Sequence, residues 1–167
     1  IAIYYITNNF AGKITAYGGS GYQYGAAGTI YLKSLTQTYG DLIIDNNGNL
    51  GEYTYTLGNY TFDNLTIQNE GKLYIQAGES ITALNSDFDL ATGSLYNEGT
   101  FSAPNITSLT VGGTLTNSGT FSVNNITTLT LNGTLTNSGV FNAISLSSLT
   151  ISSGATFTVN TFSATTT

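Results

Sequence analysis

The sequence predicts an all-β protein folded as a parallel β-solenoid (β-helix), and three observations carry that prediction. A six-residue phrase, Thr114-Leu115-Thr116-Asn117-Ser118-Gly119, returns unchanged 20 residues later as Thr134-Leu135-Thr136-Asn137-Ser138-Gly139. Short runs alternate apolar and hydroxyl side chains, the period of a strand with one buried face. No window carries a helical period, and Thr, Asn and Gly, all weak helix formers, dominate the composition.

The elements follow from the repeat. Leu109-Thr110-Val111, Leu129-Thr130-Leu131 and Leu149-Thr150-Ile151 recur every 20 residues, as do Phe101, Phe121 and Phe141. Each unit reads as three short strands, of the types Leu-Thr-Val, Thr-Leu-Thr and Thr-Phe-Ser-Val. Between them lie corners at Gly112-Gly113, Asn117-Ser118-Gly119 and Asn124-Asn125. Gly and Asn are expected there because they tolerate a left-handed backbone. Upstream, Asn46-Asn47-Gly48-Asn49-Leu50, Asn69-Glu70-Gly71-Lys72-Leu73 and Asn97-Glu98-Gly99-Thr100-Phe101 match the same phrase, at intervals of 23, 28, 20 and 20 residues along the series. Coils of roughly 20–28 residues with three strands each would stack into a rod around one apolar column. Three regions are expected: an N-terminal strand segment over 1–16, a Gly/Tyr-rich loop and first coils over 17–50, and solenoid repeats over 51–167.

Composition removes much of the functional menu. Of 167 residues only 7% are charged, against about 25% in an ordinary soluble domain. Three lysines and no arginine leave no cationic surface for nucleic acid or anionic lipid. Without His or Cys there is no zinc site, no thiol nucleophile and no imidazole base. No enzyme activity and no cofactor are therefore expected. The apolar run Ile1–Ile6 is far shorter than the roughly 20 residues of a membrane span, so no membrane insertion is expected either. A start at Ile1 rather than Met is the expectation for a chain released from a secretion signal or cut from a longer protein.

The remaining candidates are few. Ile1, Ile3, Tyr4, Tyr5 and Ile6 form an uncharged, strongly β-prone strand, the expected connector to a second copy of the chain. Asp41, Asp45, Asp87 and Asp89 are the only carboxylates placed as pairs, and an enzyme would need them to converge in one groove. Asp45-Asn46-Asn47-Gly48-Asn49 has the oxygen-rich look of a calcium loop, without the full loop pattern, so turn residues are expected and no metal. Glycosylation sequons stand at Asn59, Asn64, Asn105, Asn125 and Asn132. Thr114, Thr116, Thr134, Thr136, Thr156 and Thr158 should point outward from one face, a regular array of the kind that ice-binding solenoids carry. Tyr96, Lys72 and Tyr74 break that series upstream. Tyrosines cluster in the first 60 residues, three of them in the loop 17–28, and are expected to meet a neighbouring subunit or stack on glycans.

The loop 17–28, followed by Gly28-Thr29-Ile30-Tyr31-Leu32-Lys33 and Tyr39-Gly40-Asp41-Leu42-Ile43-Ile44-Asp45-Asn46, resembles segments of large β-helical surface proteins of bacteria and archaea. The resemblance covers about residues 17–50 closely and implies an exported, adhesin-like surface protein. It carries over no catalytic residue. The expectation is an extracellular structural protein that polymerises with itself head to tail by strand addition. The alternatives are a rod segment of a glycan-binding adhesin and an ice-binding solenoid using the threonine face.

Overall fold

The computed structural model describes residues 1–85, 88–90, 92–159 and 162–165, with the side chains of Phe88, Asp89, Asn125 and 162–165 outside that description. Before the coils come β1 (Ala2–Tyr5) and β2 (Thr29–Ser34). The first coil is β3 (Asp41–Asp45), β4 (Thr54–Thr56) and β5 (Asn59–Phe62); the second is β6 (Asn64–Gln68), β7 (Lys72–Ile75) and β8 (Ser80–Ala83). The third is β9 (Phe88–Leu90), β10 (Ser94–Asn97) and β11 (Thr100–Ala103), and the fourth runs through β12 (Ser108–Val111) and β13 (Thr114–Asn117) into β14 (Thr120–Leu131). β15 (Thr134–Asn137), β16 (Val140–Ile151), β17 (Thr156–Val159) and β18 (Phe162–Thr165) complete a solenoid of about six turns, and no helix occurs among the described residues.

Each coil contributes one strand to each of three faces. The second face is β4-β7-β10-β13-β15-β17, and the third is β5-β8-β11-β14-β16-β18, all parallel. β14 and β16 bend without losing their pairing, so each serves the third face at its start and the first face at its end. The corner expected at Asn124-Asn125 is thus a bend inside a continuous strand.

Alternation decides what is buried. Leu73, Leu95, Leu115 and Leu135 form one inward column, and Ile81, Phe101, Phe121 and Phe141 form another, all at most 1% exposed. Phe101, Phe121 and Phe141 stack with ring centroids 4.8 and 4.9 Å apart. Each such side chain contributes about 1.5–3 kcal/mol by leaving water. A third inward column is polar: Asn97 Nδ2 donates to Asn117 Oδ1 and Asn117 Nδ2 to Asn137 Oδ1, both at 2.6 Å. The same amides reach the next coil's backbone at Thr120 O and Val140 O. The ladder stops where Asn97 meets Ile75, which leaves the buried Asn97 Oδ1 without a partner.

Three sequence expectations are corrected here. Rungs are 19 to 23 residues apart, from the Thr54–Leu73 and Asp41–Asn64 pairings, and the 28-residue interval joins phrases at different corners. Gly71 leads into β7 on the second face, whereas Gly99 leads into β11 on the third. The left-handed backbone occurs at Asn47, Gly48, Asn69 and Glu70 but not at the repeat corners. There glycine is required by close approach: a methyl on Gly113 would run into the Gly93 carbonyl oxygen, and one on Gly119 into that of Gly99. Finally, the N-terminal mouth is not a bare open end. β2 pairs antiparallel with β3, and residues 24–27 lie over the start of the second face through a Tyr24–Gly51 bridge and a 2.6 Å bond from Thr54 Oγ1 to Ala27 O.

Candidate functional site

The outward side of the second face collects the residues most able to meet a partner. Register places Tyr55, Tyr74, Tyr96, Thr116, Thr136 and Thr158 in one column. Lys72, Ser94, Thr114, Thr134 and Thr156 form the column beside it. All six expected threonines therefore share one surface. The residues that break the threonine series do so without leaving its columns.

The tyrosine end of this surface is a packed cluster. Tyr55–Tyr74 and Tyr74–Tyr96 centroids are each 5.0 Å apart, with rings tilted 67° and 71° to one another. Tyr53 leans along the column, 6.2 Å from Tyr74 and 6.1 Å from Tyr96, and Lys72 Nζ sits over its ring. The Glu98 carboxylate accepts both the Tyr74 and the Tyr96 hydroxyl, one on each oxygen. That hydrogen bond, helped by burial and by the Glu98 charge, pushes the Tyr74 phenol up to about 12. Burial also raises the Tyr53 phenol above its ordinary value. Tyr55 remains 55% exposed.

The N-terminal strand is docked on its own chain. β1 pairs in parallel with β2, Ala2 opposite Tyr31 and Tyr5 opposite Ser34, and the Ile1 nitrogen donates to Thr29 O at 2.7 Å. Ile3 and Tyr5 are half-buried, while Ile1, Tyr4 and Ile6 are exposed. Tyr4 meets Tyr31 edge to face at 5.8 Å. Between this strand pair and the free edge of β5 lies an apolar groove of about 600 Å³, walled by Tyr4, Tyr31, Tyr55, Leu57, Tyr60 and Phe62. The tyrosine-rich loop folds onto the same end, with Gly18 N donating to Asn46 Oδ1 at 2.8 Å, and Tyr22 left fully exposed.

The carboxylates and the oxygen-rich loop are engaged locally. Asp41 and Asp45 sit at opposite ends of β3, and Asp41 accepts from Asn64 Nδ2 at 2.6 Å. Asp45 is buried. Burial alone would raise its carboxyl, but the Asn47 N–H and the Gln68 and Asn69 amides outweigh it and hold the group below its ordinary value. Those donors occupy the oxygens a cation would need. Asp87 lies outside the described residues; Asp89 pairs through its backbone with Thr110, its side chain outside the description. Of the sequon residues, Asn59, Asn105 and Asn132 are exposed and Asn64 is half-buried, while the Asn125 side chain falls outside the description. Asn59 and Asn132 already accept hydroxyl hydrogens from Ser80 and Ser152.

Fold and register together define a parallel β-solenoid with a two-column outward strip. Comparison with known proteins adds no kin: no family model, no curated protein and no solved structure matches the chain.

Proposed function

We propose that this is an extracellular structural protein whose solenoid subunits join head to tail into a surface filament, with β1 as the exchangeable connector. The observation that carries the reading is how weakly β1 is held. It is paired on one side only, at the end of its sheet, and none of its four residues is buried. The 23 residues from 6 to 28 that tie it to β2 contain no strand, only the isolated Tyr24–Gly51 bridge. Fully extended, such a tether reaches about 75 Å.

A β1 strand that leaves its own β2 can form the same ladder on the β2 of a neighbour. The bonds lost and gained are identical, so the exchange costs little beyond the entropy of association. A strand given forward by every subunit makes a contact that does not close, and such contacts propagate as fibres. The resemblance of residues 17–50 to surface-protein segments and the scarcity of charge support an exported rod.

The test uses the native absence of cysteine. Tyr4 and Lys33 are register partners, so Tyr4→Cys with Lys33→Cys reports where β1 sits. Oxidation before assembly should lock the strand in place and prevent fibres in electron micrographs. Oxidation after assembly should link chain to chain. Fibres whose cross-links all fall within single chains, or an unmodified protein that stays as single rods at high concentration, would sink the proposal.

A further inference from the structure

We propose that the tyrosine end of the outward strip binds a neutral polysaccharide chain lying along the solenoid axis, whether or not the subunits polymerise. Tyr53, Tyr55, Tyr74 and Tyr96 come from three successive coils and are brought into one cluster by register alone. Strand formation does not require them, since Thr116, Thr136 and Thr158 fill the same column in the later coils. Cross-strand ring pairs add packing, but packing gives no reason to leave Tyr55 more than half exposed.

The chemistry around the rings selects the ligand. A pyranose has an apolar C–H face and a rim of hydroxyls, and tyrosine presents an apolar ring with a polar tip. Glu98 holds the Tyr74 and Tyr96 hydroxyls in place and is the acceptor within the cluster. Lys72 stands over Tyr53 as a donor, and the Thr114 and Thr116 hydroxyls continue the strip on the next rung. Lys72 is the one cation in the two columns, on a chain whose net charge is −6. With Glu98 also present, an acidic glycan would meet repulsion, whereas a neutral one meets only stacking and hydrogen bonds.

Intrinsic tyrosine fluorescence and calorimetry of the full chain against cellohexaose, chitohexaose and laminarihexaose test the inference. Saturable binding of at least one hexaose is expected. Tyr55→Ala and Tyr96→Ala should each weaken it roughly tenfold or more, the loss of about 1.4 kcal/mol. Tyr60→Ala, outside the columns, should leave affinity unchanged, and Tyr96→Phe should retain most of it because the ring stays. Circular dichroism melts establish that each variant is folded; the exposed Tyr55 is the position least able to disturb the fold. Failure of all three hexaoses to bind, equal binding by folded Tyr55→Ala, or a preference for polygalacturonate would each overturn the proposal.

Discussion

Tyr96 and Thr116 are register partners on adjacent rungs of the second face, so the tyrosine and threonine series are one column and not two surfaces. The strip changes character halfway along the rod, from ring and carboxylate to hydroxyl. Its backbone ladder does not change at all. That separation of surface chemistry from scaffold is what a stacked parallel sheet permits: inward residues hold the rungs, and outward ones are free to vary.

The asparagine ladder should be a principal source of specificity for the stacking of coils. Asn117 is fully buried and donates to Asn137 Oδ1 and Val140 O while accepting from Asn97. Asn117→Ala strips a buried donor and acceptor from both neighbours and should cost about 2–4 kcal/mol in urea unfolding. A loss below about 0.5 kcal/mol would mean the ladder is dispensable.

The phenylalanine column should show the cost of a cavity that neighbours cannot fill. Phe121 is clamped between Phe101 and Phe141 at 4.8 and 4.9 Å. Rungs tied by continuous backbone ladders cannot collapse inward, so Phe121→Ala should lie toward the upper end of the usual 3–5 kcal/mol or so. Chemical denaturation measures it, and a cost near that of an exposed substitution would contradict the stacking.

Gly119 should refuse even a methyl group. Its backbone conformation is ordinary, but a side chain there meets the Gly99 and Glu98 carbonyls of the preceding rung. Gly119→Ala must push two coils apart and is expected to lower the melting temperature more than Gly48→Ala. The latter position is open in space although its backbone is left-handed. The opposite order would show that corner conformation, and not close approach, governs these glycines.

Glu98→Gln should return the Tyr74 phenol from about 12 toward its ordinary value of 10, seen as tyrosinate absorbance in an alkaline titration. The sign follows from linkage. A phenol whose folded value is raised keeps its proton more tightly in the folded state. Its contribution is complete below pH 10 and is lost as pH rises through about 12. Wild type should therefore lose stability relative to Glu98→Gln over that alkaline window, and parallel curves would refute the assignment.

Asp45 works in the opposite direction. Its carboxyl lies below the ordinary 3.8, so the stability it contributes is present above that value and is lost as pH falls through the lowered folded value. Asp45→Asn replaces an acceptor of three N–H donors by a group that repels some of them. A loss of about 1–3 kcal/mol at neutral pH is expected, shrinking in strong acid, as measured by urea unfolding across pH.

Much of this architecture was legible before any coordinates. The exact return of Thr-Leu-Thr-Asn-Ser-Gly dictates that Leu115 and Leu135 face inward while Thr114, Thr116, Thr134 and Thr136 face outward, because strand side chains alternate with period two. What alternation cannot state is which rung of an unlike coil lies beside which. Asn69-Glu70-Gly71 and Asn97-Glu98-Gly99 look equivalent as words, yet they turn different corners, since Gly and Asn suit any corner. Only the joint burial of Leu73 with Leu95 and Ile81 with Phe101 settles that register. With it come the Tyr55–Tyr74–Tyr96 column and the shared Glu98. The antiparallel β2 and the docking of β1 in its own chain were equally hidden, because they depend on contacts 28 or more residues apart and leave no local period. By itself, then, the sequence determined the solenoid and the faces of its repeats. The tertiary structure decided the surface, since pairing between dissimilar coils is chosen by what they can bury together.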